Sequence, residues 1–393
     1  MTRPGKGPAG EESTMKIIVA PDSFKGSLSA KETAEAMQRG ILQVVKNGEV
    51  VLMPMADGGE GFVDAMAAAL NGQLTEVDTF DPLGRPITAA YALVDDGQTA
   101  IIETAAASGL TLLKRDERNP LKASTYGTGL LVRHAIERGC KTIYIGLGGS
   151  ATNDGGIGLA QALGYRFIGE SGHELDINGR GLEKIAHIDA SNRLGALDDV
   201  QVIAACDVDT RLCGEQGASA VFGPQKGATP EMVQFLDGVL RSLADAVKSH
   251  LGFDMLTLAG GGAAGGLGAG LAAFCGATLQ NGIDLVLRAC RFEEKLPGTD
   301  LILTGEGNTD EQTLMGKVPV GIGKRAKQAH VPVVCLSGGL GKRYERVKEA
   351  GISAVFSIMP RPASLDEAME NAAEWIEEAS REIISLWLAA QKR

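Results

Sequence analysis

Short apolar runs, each followed by a loop rich in glycine or acidic residues and then by apolar residues at helical spacing, recur along this chain. Near the N-terminus, residues 16–20 and 50–53 are such runs, and each precedes a stretch with helical periodicity. Ser29 and Glu32 have the spacing of a capping box at the start of the first of these helices. Repeated strand–loop–helix units predict parallel strands joined by right-handed crossovers.

The C-terminal third repeats this rhythm. Residues 300–304, 331–336 and 354–358 are predicted strands, a short helix is expected near 344–350, and a long final helix is predicted over 365–390.

The middle of the chain has a different pattern. Residues 74–104 contain three short strand-like runs around a turn cluster at 81–86, which favours antiparallel pairing. Residues 142–147 and 201–205 are two further predicted strands.

These patterns predict an α/β protein with two domains. A Rossmann-like parallel sheet domain is formed by both chain ends, residues 15–69 plus 286–393. A second, mixed α/β domain with glycine-rich loops, residues 70–285, is inserted into it. Residues 1–14 are polar and rich in proline and glycine, and we predict a disordered extension there.

Charge and composition argue against several kinds of partner. The formal net charge is −11, whereas proteins that grip nucleic acid phosphates usually present a basic face, so no nucleic acid partner is expected. The 6 cysteines show no C-x-x-C pair and no zinc-ligand spacing, which is typical of reduced thiols and predicts a cytoplasmic location. The uncharged run at 256–283 is dominated by glycine and alanine, so no membrane span is expected. The sequence leaves the oligomeric state open.

Four loops share one position, directly after a strand and before a helix: 21–27, 57–61, 148–156 and 305–310. Ligands of open α/β sheets bind at that edge, and helix N-termini there favour anions. We therefore expect the functional site where these loops meet.

The loop at 148–156 is the most distinctive of the four. Its glycines allow backbone N–H groups to approach phosphate oxygens, and its hydroxyl, amide and carboxylate groups could bind phosphate or Mg²⁺. A tight turn without ligand is the alternative. Gly146, Gly148 and Ala151 also fit a dinucleotide fingerprint, with Glu170 near the position of a ribose-binding acid.

The loop at 305–310 holds two carboxylates, Glu306 and Asp310, which suit a divalent metal or a catalytic base. The alternative is that Asp310 caps the next helix. No G-x-x-x-x-G-K-[ST] motif occurs in the chain, so a Walker P-loop is excluded.

Taken together, five ordered segments resemble the bacterial glycerate kinases that include the enzymes of glyoxylate and galactarate catabolism. The segments begin at Ala20, Met55, Gly146, Cys206 and Thr304, and read APDSFKGS, MADGGEG, GLGGSATNDGGIG, CDV and TGEG. The resemblance implies ATP-dependent phosphorylation of D-glycerate, with 2-phosphoglycerate favoured over 3-phosphoglycerate. It also implies Mg²⁺ and a site between two α/β domains.

Phosphoryl transfer to a small hydroxy acid needs a base, cations and metal-ligating oxygens, and the loops supply candidates for each. The expected catalytic residues are Asp207, Asp310 and Lys25. The expected metal ligands are Asp154, Glu306, Asp57 and Glu60. The expected substrate- and ATP-binding residues are Asp22, Ser23, Lys25, Gly58, Gly59, Gly148, Gly149, Ser150, Thr152, Asn153, Gly305, Gly307 and Lys317.

One position departs from the family pattern. The family usually continues T-G-E-G with arginine, an aliphatic residue and aspartate, whereas this chain has Asn308 and Thr309 before Asp310. Either that arginine is not catalytic, or Lys317 or another cation replaces it. Two other functions stay open: a nicotinamide-dependent dehydrogenase of a small hydroxy acid, and a non-catalytic protein that binds a small anion.

Overall fold

The computed structural model describes residues 15–59, 61–174 and 185–391. The predicted extension at 1–14 and the candidate ligand Glu60 lie outside the described residues. Within the described residues the strands are β1 Lys16–Val19, β2 Glu49–Leu52, β3 Gln73–Phe80, β4 Pro86–Val94, β5 Thr99–Glu103, β6 Thr142–Gly146, β7 Arg166–Gly169, β8 Ile185–Asp189, β9 Gln201–Ala205, β10 Thr278–Gln280, β11 Leu301–Thr309, β12 Val333–Leu340 and β13 Ala354–Ser357.

The α-helices of the same residues alternate with these strands for most of the chain. They are α1 Ala30–Val44, α2 Phe62–Leu70, α3 Ala105–Ser108, α4 Tyr126–Glu137, α5 Ile157–Ala162, α6 Ala218–Phe222, α7 Pro230–Leu251, α8 Ala263–Cys275, α9 Gly282–Ala289, α10 Phe292–Lys295, α11 Val318–Gln328, α12 Leu365–Glu370 and α13 Ala372–Gln391. The predicted capping box is present, since the Ser29 hydroxyl accepts from the Glu32 amide and the Glu32 carboxylate accepts from the Ser29 amide.

The first sheet unites the two chain ends. Its order is β2-β1-β11-β12-β13 and all its strands are parallel. Counted within the sheet this is the 2-1-3-4-5 order of doubly wound folds, in which the crevice between the first and third strands is a ligand site. Ile17 and Val19 face a core shared with α1 and α13, whereas Ile18 and Ala20 face the opposite core. This burial on both faces explains the continuous apolar run at 16–20.

The second sheet comes from the middle of the chain, with the order β3-β4-β5-β6-β9-β10. β3, β4 and β5 pair antiparallel, as the turn cluster at 81–86 predicted, and β5, β6, β9 and β10 pair parallel. The predicted fold class is therefore confirmed: a parallel α/β sheet from both ends, with a mixed α/β unit inserted. The boundaries at 69–70 and 285–286 stay a prediction.

A single apolar core joins the two sheets. Ile18 and Ile302 of the first sheet and Ile101 and Ile203 of the second belong to one buried cluster, together with side chains of α2, α9 and α11. Helix α2 packs against β4 and β5 of the second sheet, although it follows β2 of the first. The carboxyl ends of both sheets thereby lie on the same side of this shared core.

Two elements differ from the predictions. The final helix is two helices, because Ser364 caps a short α12 and the Asn371 side chain donates to the Glu367 carbonyl oxygen where the break occurs. β11 extends to Thr309, beyond the predicted 300–304, since residues 308 and 309 still pair with β12. No described helix is long and apolar enough to cross a membrane.

Candidate active site

Two cavities open where the loops after the strands meet. The small cavity, of about 360 Å³, is lined by loops of both sheets: Lys25, Asp57, Gly58, Gly59, Leu147, Gly148, Gly149, Ser150, Ala205, Cys206, Asp207, Val208, Phe222, Gln225, Lys226, Ala263 and Ala264. The large cavity, of about 750 Å³, lies over the first sheet and is lined by Asp22, Ser23, Phe24, Lys25, Ser27, Glu306, Gly307, Asn308, Lys317, Gly338, Gly339, Ile358, Met359, Ala363, Ser364, Leu365, Ala368, Met369 and Ala372. Lys25 lines both cavities.

The large cavity sits at the switch point of the first sheet, because the loop that follows β1 and the C-terminal part of β11 form its polar end. The Asp22 amide donates to the Gly305 carbonyl oxygen at 2.8 Å and joins the loop after β1 to β11. Asp22 is buried, and burial together with the negative charge of Asp57 raises the pKa of Asp22 to about 8. The Ser23 hydroxyl is buried and has no hydrogen-bond partner in the described part of the chain.

Glycines bring the loops of the two sheets into contact at the small cavity. A Cβ added at Gly148 would overlap the Cα of Gly59, and one added at Gly146 would crowd the Gly58 carbonyl oxygen. The Gly148 amide donates to that same Gly58 oxygen at 3.1 Å. Contact between protein loops therefore accounts for the glycines of the dinucleotide fingerprint.

Asp207 follows β9 and lines the small cavity. Its Oδ1 accepts from Asn281 Nδ2 at 2.7 Å and from the Gly282 amide at 2.8 Å, which ties it to the start of α9. Burial, reinforced by the charge of Asp57, raises the pKa of Asp207 to about 7. Because both hydrogen bonds use Oδ1, the carboxylate is held in one orientation.

Asp154 has a different environment from the one expected of a metal ligand. Its oxygens accept from the Thr125 amide and hydroxyl and from the amides of Gly156 and Gly158. These contacts tie the loop before α5 to the start of α4, where helix N-termini favour an anion. Burial raises the pKa of Asp154, and these hydrogen bonds oppose the rise. The geometry thus favours a structural role.

Glu306 is buried at the polar end of the large cavity. Its Oε1 accepts from the hydroxyls of Thr309 at 3.0 Å and Thr313 at 2.7 Å, and Lys317 Nζ lies 3.5 Å from Oε2. Burial raises the pKa of Glu306, and the Lys317 ammonium opposes the rise. Asn308 lines the same cavity, so Lys317 provides a cation beside the position where the family has arginine.

Asp310 caps a helical turn. Its Oδ1 accepts from the Gln312 amide and its Oδ2 from Asn308 Nδ2, and Thr313 completes a capping box. Asp310 lines neither cavity. The geometry therefore favours the capping alternative over a catalytic role.

Lys226 is the residue that sequence reasoning missed. It ends a helical turn at Pro224–Lys226, is 2% exposed, and lines the small cavity. Its Nζ donates to Ser150 Oγ at 2.8 Å and to the Thr152 carbonyl oxygen at 2.6 Å. A lysine inside a G-P-Q-K-G turn has the composition of an exposed loop, so neither periodicity nor motif could have identified it.

The predicted site residues that the structure describes therefore separate into two groups. Most line at least one of the two cavities: Asp22, Ser23, Lys25, Asp57, Gly58, Gly59, Gly148, Gly149, Ser150, Asp207, Glu306, Gly307 and Lys317. Five described residues line neither: Thr152, Asn153, Asp154, Gly305 and Asp310. Of these, Thr152 and Asn153 lie behind the small cavity, where Thr152 accepts from Lys226 and Asn153 donates to Ser219.

Comparison with known proteins places most of the chain in one family. The profile of the glycerate kinase family matches residues 17–388. A glycerate kinase of Halalkalibacterium halodurans is 47% identical over 94% of this chain and 98% of its own length. A glycerate 2-kinase of Escherichia coli is 44% identical over 94% of this chain and 97% of its own.

A solved structure supports the same assignment. The crystal structure of a protein described as a glycerate kinase 2, from Salmonella typhimurium LT2, superposes with a TM-score of 0.86 at 45% identity. The superposition covers 97% of this chain and 100% of the Salmonella chain. With the five ordered segments at the strand ends, these matches lead to one conclusion: the chain belongs to the glycerate kinase family.

Proposed function

We propose that this protein transfers the γ-phosphoryl group of ATP to D-glycerate, with Mg²⁺, and that 2-phosphoglycerate is the product. The observation that carries the proposal is the pair of cavities that share Lys25, one lined by loops of both sheets and one with a large apolar wall. A kinase for a small hydroxy acid needs two such sites, and it needs a cation where they join.

The large cavity fits the nucleotide. Its volume lies within the roughly 300–1,000 Å³ of ordinary ligand pockets. Leu365, Ala368 and Met369 of α12 contribute an apolar wall suited to a base, while Lys25 and Lys317 stand at the polar end, where phosphates would lie.

The small cavity fits glycerate. At about 360 Å³ it has room for a three-carbon acid, and its lining includes a hydroxyl, two carboxylates and two lysines. Loops from both sheets contribute to it, so a molecule bound there lies beside the switch-point loop of the first sheet. Lys25 is then positioned to neutralise charge on the phosphoryl group as it passes between the cavities.

The donor set fits Mg²⁺, although the described residues contain no ready group of three or more metal-ligating side chains. Mg²⁺ in kinases usually takes one or two carboxylates together with substrate phosphates and water. Burial, reinforced by the negative charge of Asp57, raises the pKa of Asp22, and the hydroxyl of the adjacent residue Ser23 is buried without a partner among the described residues. These residues would hold the ion, which neutralises phosphate charge when it is bound.

Asp207 is the proposed general base. It lines the small cavity, and its orientation is fixed by Asn281 and Gly282. Burial raises its pKa to about 7, which suits proton transfer at physiological pH. In the reaction, the glycerate oxygen bonds to the γ-phosphorus while the bond to the β–γ bridging oxygen breaks. The hydroxyl proton moves to Asp207, and ADP leaves.

A coupled assay of ADP release tests this function. D-glycerate, L-glycerate, glycolate and lactate are compared, each with and without Mg²⁺. We expect turnover with D-glycerate that needs the metal, and little with the other acids. No ADP above background with D-glycerate at saturating Mg·ATP would refute the proposal.

A further inference from the structure

A buried cation without a charged hydrogen-bond partner stands in the small cavity. Lys226 is 2% exposed, and both acceptors of its ammonium, Ser150 Oγ and the Thr152 carbonyl oxygen, are neutral. None of the ion pairs found among the described residues involves Lys226. Lysine is almost never fully buried unless it is paired, so this arrangement needs an explanation.

The protein itself provides only a distant countercharge. The Asp154 carboxylate interacts electrostatically with Lys226, but its oxygens are already taken by Thr125, Gly156 and Gly158. Burial lowers the pKa of Lys226 to about 7, the reverse of what a close carboxylate would do. In the free protein, the buried positive charge of Lys226 therefore has no close negative charge among the described residues to balance it. An anion bound in the small cavity would stabilise the charged form of Lys226.

The geometry leaves room for such an anion. An ammonium has three donors, and the two hydrogen bonds described for Lys226 leave one. Ser150 Oγ accepts from Lys226, so its own O–H is available to donate to the same ligand. Two donors of this kind can bind the two oxygens of a carboxylate.

Resting on the proposed function, we propose that Lys226 and Ser150 bind the carboxylate of the acceptor, and that Lys226 makes this enzyme specific for an acid rather than a neutral polyol. Lys226 lines the small cavity and not the large one, whereas Lys25 lines both. The hydroxyl to be phosphorylated thus lies toward Lys25, and the carboxylate lies beside Lys226.

The test compares D-glycerate with its neutral amide, glyceramide, in the wild type and in Lys226→Met. Removing one charged hydrogen bond should lower kcat/KM for glycerate by about ten- to a hundredfold and leave that for glyceramide nearly unchanged. The wild-type preference for the acid should then largely disappear. The KM for ATP should not change. Lys317→Met, in the large cavity, is the matched control, and it should raise the KM for ATP and keep the preference for glycerate.

Three outcomes would overturn the inference. An equal loss with both acceptors would indicate a structural role for Lys226. A change confined to the KM for ATP would make it a phosphate-binding residue, and unchanged kinetics would remove it from the site. If Lys226→Met does not fold, Lys226→Gln replaces it, since glutamine can still donate to Ser150.

Calorimetric binding of D-glycerate without ATP separates this inference from the proposed function. If the wild type binds glycerate and Lys226→Met does not, the carboxylate site stands even where no phosphoryl transfer is observed. If both bind equally while the wild type is active, the proposed function stands and the Lys226 inference is wrong.

Discussion

Asp207 and Asp310 each follow a strand, yet their side chains have different surroundings. Asp207 lines the small cavity, while Asp310 caps the turn after β11. The sequence offered both as bases, because each follows a strand in a polar loop. Only the course of the chain after β11 distinguishes them, and that course depends on hydrogen bonds with Asn308, Gln312 and Thr313.

Replacing these two aspartates by asparagine therefore has unequal consequences. Asp207→Asn should lower kcat by about 10²-fold or more, since it removes the proposed general base. Asp310→Asn should change kcat by less than about threefold, because asparagine caps a helix nearly as well as aspartate. Steady-state kinetics and melting curves of both variants check this. A large loss of turnover in folded Asp310→Asn would return Asp310 to the catalytic residues.

The buried ammonium of Lys226 also predicts a pH dependence of stability. Burial lowers the pKa of Lys226 to about 7. Between pH 7 and the higher pKa that this lysine has in the unfolded chain, the unfolded state therefore binds more protons than the folded one. The contribution of Lys226 to the free energy of unfolding therefore rises with pH through that range. Asp154, the nearby charge, limits the effect because it favours the charged form.

Urea unfolding of the wild type and of Lys226→Met, at several pH values from 6 to 10, measures this contribution as a difference. The variant should be the more stable at pH 6, and its advantage should shrink as the pH rises. Subtracting one free energy of unfolding from the other cancels the contributions that both proteins share, such as those of the buried cysteines. An advantage that grows with pH, or a variant less stable at pH 6, would contradict the assignment of a poorly compensated buried charge.

At the scale of elements, the loops after the strands were predictable and their contacts were not. The strand–loop–helix rhythm placed the loops at 57–61 and 148–156 at one edge, and glycine content marked them as sites of close approach. What approaches them is other protein backbone: Gly59 meets Gly148, and Gly265 of α8 abuts the carbonyl oxygen of Thr152. Sequence spacing cannot distinguish contact with a ligand from contact with another loop.

Gly148→Ala tests the contact between the loops. The added methyl would overlap Gly59, and such overpacking costs about 1–3 kcal/mol of unfolding free energy. Gly238→Ala is the matched control, because Gly238 lies in α7, is exposed, and has open space at its Cβ. That change should stabilise the protein by about 0.5–1 kcal/mol. Equal effects at the two positions would argue against the contact.

At the scale of the whole molecule, the two sheets are joined more closely than the sequence predicts. A chain with an insertion suggests two cores, but Ile18 and Ile302 share one cluster with Ile101 and Ile203. Alternating β and α segments predict a parallel sheet, whereas strand order and the packing of α2 between the sheets depend on contacts between residues far apart in the chain. The predicted fold class was therefore accessible from sequence, and the shared core was not.

The shared core predicts that the two sheets unfold together. Calorimetry should show one transition, with the van't Hoff enthalpy close to the calorimetric one. Units joined by a large apolar interface lose much of their independence. Two resolved transitions would show that the inserted unit folds by itself, and would favour independent domains with boundaries near 70 and 285.

The central claim is that phosphate passes from ATP to the hydroxyl at carbon 2 of glycerate. Proton-coupled phosphorus NMR of the reaction with Mg·ATP and D-glycerate tests it directly, because the phosphate of 2-phosphoglycerate couples to one proton and that of 3-phosphoglycerate to two. We predict a new doublet that grows as ADP appears. A triplet would place the transfer on the other hydroxyl, and ADP accompanied only by inorganic phosphate would contradict the claim that this site transfers phosphate to glycerate.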